Sequence, residues 1–255
     1  MQHVMSQPKA GHVRTLASAL VLMVTLALSS SYCDVVAASA NNGAAKNGGF
    51  AYQGVRYPNV VRVPSGYDGS QSLPALLLIH GAGGKGQDMV NQWASFADSH
   101  HIVLVAPTLP LDAEFEKLVP HLFPALMDSV KQQLNVDPNR IYVFGYSAGG
   151  YVTFDAATLA STYFAAAAVF ADIIAPEYYP IIEPAQRTTP VAIYIGDHDQ
   201  YFSVKQAQAT RDRLVANGFP VHFVVIPNQD HNYAAASAAV NSDAWQFMSQ
   251  YSLGH

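Results

Sequence analysis

Cysteine is nearly absent from this chain, whose 255 residues include only Cys33. One cysteine cannot close an intrachain disulfide, so the fold must depend on its hydrophobic core. If a leader is removed after Ala40, no cysteine remains in the mature chain. Cysteine nucleophiles and thiolate metal sites are then excluded.

Charge is scarce as well. Charged residues make up 12% of the chain, the net charge is -5, and no stretch is rich in lysine or arginine. Nucleic-acid binding relies on basic patches that neutralise phosphates, so a nucleic acid is not an expected partner. The apolar share of 50% suffices for one sizeable core and is too high for a disordered chain.

The longest apolar run lies near the N-terminus. Residues 1–14 carry Lys9 and Arg14 without an acid, and the apolar stretch 16–28 follows. This order is typical of a secretory signal, and the stretch is shorter than the roughly 20 residues that span a bilayer.

We therefore expect a signal peptide in residues 1–40 and a single mature domain in residues 41–255. The mature chain would be secreted or periplasmic and would not be stably inserted in a membrane. A cut at the serines 29–31 competes with one after Ala40, and an uncleaved signal that anchors the chain is the alternative.

Beyond residue 50, short apolar runs alternate with longer helix-like stretches. The apolar runs predict strands at 59–63, 75–79, 102–106, 141–144, 165–170, 191–195 and 221–226. Helices are predicted at 87–99, 118–134, 149–161, 204–217 and 237–251. This order predicts an α/β fold with a mostly parallel central sheet and helices on both faces. The link at 171–190 is too short for a large lid domain.

Ser147 lies in a G-x-S-x-G pattern between a predicted strand and a predicted helix. A serine on so tight a turn has strained backbone angles that lift its Oγ off the sheet, and the flanking Gly145 and Gly149 avoid crowding. The pattern favours a nucleophile. The alternative is a glycine-rich turn with an incidental serine.

A glycine-rich loop, residues 80–84, follows the strand at 75–79. Backbone N–H groups of such a loop can stabilise the negative charge that acyl transfer builds on a carbonyl oxygen. We predict an oxyanion hole from the N–H groups of Ala82, with Gly83 as the alternative, and of Ala148. A phosphate-binding loop would need the Walker or dinucleotide-binding pattern, which the loop lacks.

An acid and a histidine follow Ser147 in later strand-end loops, as a serine-hydrolase triad requires. Asp199 is the predicted acid, since Asp197 stands next to the strand end and is better placed to cap the turn. His231 is the predicted base. A metal site built from Asp197, His198, Asp199 and His231 is an alternative, but it lacks the helical histidine pair of zinc hydrolases.

From about Asn59 onward, the chain resembles the α/β-hydrolase superfamily and, within it, the esterases that include polyhydroxybutyrate depolymerases, feruloyl esterases and acetylxylan esterases. The resemblance rests on four segments: HGAGGKGQDM, VDPNRIYVFGYSAGG, GDHDQYF and DHNY. It implies the α/β-hydrolase fold and supports Asp199 over Asp197. Ala82 replaces a cysteine of many relatives, and Tyr233 replaces a tryptophan of many depolymerases.

The expected activity is serine carboxylic-ester hydrolysis through an acyl-enzyme, with no cofactor and no metal. The substrate would be a small or polymeric ester, with Tyr146, Tyr201 and Tyr233 as candidate substrate contacts. A serine peptidase of the prolyl-oligopeptidase type shares fold and triad but usually carries a second domain. A non-catalytic binding protein on a hydrolase scaffold is the other alternative.

Overall fold

The computed structural model of the chain describes residues 32–33, 43 and 45–254. Apart from Tyr32 and Cys33, the predicted signal region lies outside the described residues. The prediction of a signal peptide in residues 1–40 therefore stays a prediction.

A nine-stranded sheet runs through the described part of the chain. Its strands are β1 (Tyr32–Cys33), β2 (Ala45–Tyr52), β3 (Val55–Arg62), β4 (Leu73–Ile79), β5 (Val103–Pro107), β6 (Val136–Tyr146), β7 (Ala166–Phe170), β8 (Val191–Gly196) and β9 (Val221–Ile226). The spatial order is β1-β2-β3-β5-β4-β6-β7-β8-β9. Strands β4 to β9 are mutually parallel, while β1, β2 and β3 add to one edge as antiparallel neighbours.

Helices cover both faces of this sheet. They are α1 (Gly86–His100), α2 (Ala113–Glu116), α3 (Val119–Lys131), α4 (Ala148–Leu159), α5 (Val204–Ala216) and α6 (Tyr233–Met248). Apolar side chains of α1 and α6 pack on one face, and those of α3, α4 and α5 belong to the clusters on the other. All seven residues of β4 are buried, as expected for a strand that is covered on both faces.

These features confirm the predicted α/β fold with its mostly parallel sheet. The link at 171–190 between β7 and β8 contains one short 3-10 helix, Pro176–Ile181, and no lid domain. All seven predicted strands and all five predicted helices are present, with ends that differ by a few residues.

One hairpin was not predicted. Strand β2 pairs with β3 through a turn in which Gln53 and Gly54 have φ values of 48° and 82°, which suits the tight turn of a hairpin. The sequence of β2 conceals this strand, because its first five residues, AKNGG, lack the β-branched and aromatic side chains that signal a strand.

Candidate active site

Ser147 occupies the sharp turn between β6 and α4. Its φ of 53° and ψ of -128° lie in a region that residues other than glycine rarely adopt. Two backbone hydrogen bonds hold it there: its N–H donates to the Phe170 carbonyl at 3.0 Å, and its carbonyl accepts from the Gly150 N–H at 2.5 Å. The strain is therefore imposed by the surrounding structure, and it places Oγ above the carboxyl ends of the strands.

Two glycines make this turn possible. A Cβ on Gly145 would lie 2.1 Å from the Gly149 carbonyl oxygen, and a Cβ on Gly149 would lie 2.5 Å from that of His80. Side chains at either position would force the backbone apart. The sequence argument for Gly145 and Gly149 thus has a direct steric basis.

The structure brings Ser147, His231 and Asp199 together. The Ser147 Oγ lies 2.8 Å from His231 Nε2, and His231 Nδ1 lies 2.8 Å from Asp199 Oδ2. His231 follows β9 and is 8% exposed, while the Asp199 side chain is fully buried. The serine hydroxyl can donate to Nε2 while Nδ1–H donates to the carboxylate, which is the tautomer a general base needs.

The loop after β8 decides which aspartate reaches the histidine. The second oxygen of Asp199, Oδ1, accepts the N–H groups of Tyr201 at 2.8 Å and Phe202 at 3.0 Å. Asp197 stays exposed at the strand end, where its N–H donates to the Ile226 carbonyl. Asp230, next to His231 in the chain, is exposed and accepts the Asn232 N–H.

The two predicted oxyanion donors face the same cavity as Ser147. Ala82 and Ala148 both line it, and Ala148 is the first residue of α4, where a backbone N–H has no partner within the helix. Gly83, the alternative donor, has a φ of 70° and is not among the residues lining this cavity.

His80 is a residue that sequence reasoning left without a role. Its Nε2 accepts the Leu109 N–H at 2.9 Å, so Nδ1 carries the ring proton and donates to the Gly81 carbonyl at 2.7 Å. Burial lowers the pKa of His80, which keeps the ring neutral. This side chain connects the glycine-rich loop at 80–84 to the loop after β5. In the sequence, only its position between an apolar strand and a glycine-rich loop could have indicated this role.

The cavity above Ser147 has a volume of about 600 Å³. Tyr146 and Tyr201, two of the candidate substrate contacts, line it together with Phe202. The Tyr201 ring stands edge-on to the His231 ring, with centroids 4.7 Å apart.

The structure places Tyr233 elsewhere. Its side chain is 3% exposed, and its hydroxyl hydrogen-bonds Asn241 Oδ1 at 2.5 Å. It borders a smaller pocket on the other side of Gly81 and Ala82, which does not include Ser147. Helix α6 begins at Tyr233, and that start turns the ring into the core rather than toward the nucleophile.

The cavity lining also includes acids that the sequence did not single out. We call Glu116, Tyr151 and Asp172, which all line the cavity, the acidic wall. Burial raises the pKa of Asp172 to about 7 and also raises that of Glu116. Asp155, on α4, is buried too, and desolvation followed by the charge of Glu116 raises its pKa to about 7.

In the parts of the chain that the structure describes, no group of three or more His, Cys, Asp and Glu side chains is arranged to hold a metal ion. Among the same residues, no helix has the length and apolar character needed to cross a membrane.

The family model described as "Dienelactone hydrolase family" matches residues 72–251, well over half of the chain. This segment extends from β4 through α6 and contains every catalytic candidate. A sequence search of curated proteins gives no match.

Several solved structures share the fold. A fluorophosphonate-binding serine hydrolase of Staphylococcus aureus is 16% identical with a TM-score of 0.70, covering 82% of this chain and 99% of that one. A ferulic acid esterase of Anaeromyces mucronatus, in complex with ferulic acid, is 15% identical with a TM-score of 0.68, covering 82% and 90%. An S-formylglutathione hydrolase of Agrobacterium tumefaciens is 16% identical with a TM-score of 0.65, covering 84% and 98%.

Proposed function

This chain belongs to the dienelactone hydrolase family, and on that premise we propose that it hydrolyses carboxylic esters with Ser147, His231 and Asp199 through an acyl-enzyme. Family membership confirms the expectation of a hydrolase with the α/β-hydrolase fold. The roles of individual residues, the substrate and export are the proposal.

The observation that carries the mechanism is the continuous hydrogen-bond chain from Ser147 Oγ through His231 to Asp199, with both distances at 2.8 Å. His231 Nε2 takes the proton as Oγ attacks the ester carbonyl, and Asp199 stabilises the imidazolium that forms. The N–H groups of Ala82 and Ala148 stabilise the resulting oxyanion, each worth about 3 kcal/mol. The tetrahedral intermediate collapses, and His231 gives its proton to the departing alcohol.

Water completes the cycle. His231 takes a proton from a water molecule as the water oxygen attacks the acyl carbonyl, and the second tetrahedral intermediate releases the carboxylic acid. The proton returns to Ser147 Oγ. The enzyme is regenerated without a cofactor.

The substrate class follows from the open cavity and its aromatic lining. With no lid domain in the link at 171–190, a bulky or polymeric ester can approach Ser147. Tyr146, Tyr201 and Phe202 offer ring surfaces for a short-chain, aryl or polymeric ester. The ferulic acid bound by the Anaeromyces mucronatus esterase makes aryl esters the first group to assay.

A panel of nitrophenyl, feruloyl, acetyl-xylan, hydroxybutyrate and peptide substrates tests this proposal. Ser147→Ala should lower kcat/KM for the best ester by about 10⁴-fold or more and abolish labelling by a fluorophosphonate probe. Ser70→Ala, at an exposed loop serine, is the matched control and should behave as the wild type.

Undiminished turnover by Ser147→Ala would overturn the mechanism. Faster turnover of peptides than of every ester would make the chain a peptidase, and an absence of both turnover and labelling in the wild type would leave a binding protein on a hydrolase scaffold.

Export is the second part of the proposal, and the N-terminal signal pattern supports it. Strand β1 pairs Tyr32 with Ala51 and Cys33 with Phe50, so a cut after Ala40 removes this strand while a cut at residues 29–31 retains it. Mass spectrometry of the secreted chain determines the new N-terminus. Retention of the full-length chain in the membrane fraction would favour the anchor instead.

A further inference from the structure

Two chemically unlike groups of residues line the cavity. One comprises Ser147, His231 and the oxyanion donors, and the other is the acidic wall of Glu116, Tyr151 and Asp172. Among the described residues that line the cavity, none is a lysine or an arginine. An ester bound at Ser147 therefore shares a partly desolvated space with two carboxyl groups and no compensating cation.

Asp172 is built into this wall rather than scattered on a surface. It is 5% exposed, follows β7, and its Oδ1 accepts the Ile173 N–H at 2.8 Å. A Cβ on Gly150 would lie 2.7 Å from the Asp172 Cβ, so the glycine is what lets α4 approach this carboxyl. The turn that positions the nucleophile also positions Asp172.

Glu116 and Tyr151 form the remainder of the wall. The Tyr151 hydroxyl hydrogen-bonds the Glu116 carboxyl, which fixes the glutamate beside the ring. Carboxylates next to tyrosine faces provide the two attractions that a quaternary ammonium group uses, charge pairing and cation–π contact. An anionic group in the same space would meet repulsion from both carboxylates and find no partner.

We propose that Glu116 and Asp172 select the substrate by charge, so that an ester carrying a cationic group is preferred over its neutral isostere and an anionic ester is rejected. This inference rests on the proposed ester hydrolysis at Ser147 and names the substrate class for it. The two residues are specificity determinants and take no part in proton transfer to or from the reacting atoms.

Three nitrophenyl esters of equal chain length test the proposal. Their acyl chains are a trimethylammonio-butanoate, the same chain ending in an uncharged tert-butyl group, and the same chain ending in a carboxylate. Assays are run at about pH 8.5, where an aspartate with a pKa of about 7 is ionised. The wild type should favour the cationic ester over the neutral one by about tenfold in kcat/KM and disfavour the anionic one by a similar factor.

The variants Asp172→Asn and Glu116→Gln, alone and combined, should reduce both ratios, and the double variant should bring them close to unity. Because each ratio is taken within one variant, a general loss of folded or active protein cancels. Asp212→Asn, which removes an exposed carboxylate on α5, changes the net charge equally and should leave both ratios unchanged.

A binding measurement separates this proposal from the proposed hydrolysis. Calorimetric titration of the wild type with butyltrimethylammonium needs no turnover, and the double variant should bind this ion about tenfold more weakly. If neutral esters are hydrolysed but the ratios are unity and the ion binds both proteins equally, the charge selection is wrong and the hydrolysis stands. If no ester is hydrolysed while the ion binds the wild type more tightly, the acidic wall is correct and the hydrolysis is wrong.

Discussion

Asp172 and Asp199 follow neighbouring parallel strands, β7 and β8, yet the chain holds them in different ways. Asp199 accepts hydrogen bonds from two loop N–H groups and from His231. Asp172 accepts hydrogen bonds from backbone N–H groups, among them that of Ile173, and burial raises its pKa to about 7. A buried carboxylate can orient and stabilise a catalytic imidazole only where its loop turns it toward that ring. Elsewhere it remains a charge that a ligand can offset.

Exchanging each acid for its amide gives the largest expected effect. Asp199→Asn should lower kcat/KM for a neutral ester by about 10³ to 10⁴-fold, because an amide cannot stabilise the imidazolium and favours the wrong tautomer. The loss for Asp172→Asn should be at least about 100-fold smaller. Steady-state kinetics on one neutral nitrophenyl ester measures both.

Asp197→Asn is the matched control for that comparison, because Asp197 stands in the same loop as Asp199 and is exposed. Its kcat/KM should remain within about twofold of the wild type. Equal losses for Asp172→Asn and Asp199→Asn would erase the distinction between the two strand-end acids.

The catalytic candidates and the acidic wall also differ in how well the sequence predicts them. Ser147, Asp199 and His231 each follow an apolar strand within a recognisable motif, and the meeting of parallel strand ends at one sheet edge predicts their proximity. Asp172 stands in the segment ADIIAP, which has no motif. Its place in the cavity depends on the side-by-side pairing of β6 and β7 and on the close approach at Gly150, and neither can be deduced from one sequence.

The fold shows a similar division. Strands β4, β5, β7 and β8 were predictable because burial on both faces demands continuous apolar runs. The edge strand β9 is only partly buried, but its sequence VHFVVI is also largely apolar. Strand β2 was not predictable, because pairing with β3 overrides its weak strand propensity. Tyr233 was named as a candidate substrate contact, but the first turn of α6 points its ring inward, and the sequence of a loop alone does not fix that direction.

The next largest expected effect is on the pH dependence of stability, through ionisation of the buried Asp155. The folded-state pKa of Asp155 is raised from 3.8 to about 7 by burial and then by Glu116. The unfolded chain therefore releases this proton at lower pH than the folded one, so stability is greatest below pH 4 for this group and is lost as the pH rises through 7. Asp155→Asn should remove this pH-dependent loss of stability, which is on the order of 4 kcal/mol.

Urea unfolding at several pH values from about 4 to about 8 measures the effect. The variant should have the flatter profile and exceed the wild type in stability above pH 7. Asp212→Asn, at an exposed position, should reproduce the wild-type profile. A variant that parallels the wild type at every pH would show that Asp155 ionises freely in the folded chain.

Gly150, on α4, packs against Asp172 of the acidic wall. Its substitution should therefore disturb the position of Asp172. In Gly150→Ala the new Cβ would lie 2.7 Å from both the Asp172 Cβ and the Val169 Cγ1, so α4 and β7 must separate. Overpacking of this kind costs about 1–3 kcal/mol, although alanine is the better helix former. Urea unfolding should show this loss, and the preference for the cationic ester should decline with it, whereas a gain in stability would contradict the close approach.

Tyr233→Phe should have the smallest effect, and it tests whether Tyr233 serves the hydrophobic core or the substrate site. The hydroxyl of this buried residue hydrogen-bonds Asn241 Oδ1, so its removal leaves a buried acceptor without that donor and costs about 1–2 kcal/mol of stability. Because the structure places Tyr233 away from the cavity of Ser147, kcat/KM should stay within about twofold of the wild type. Tyr201→Phe, at a residue that is 68% exposed, serves as the counterpart and should leave stability unchanged. If Tyr233→Phe instead raises KM and leaves the free energy of unfolding unchanged, Tyr233 is a substrate contact after all. Loss of a hydroxyl that binds the ester weakens substrate binding, whereas loss of a hydroxyl that binds Asn241 lowers stability.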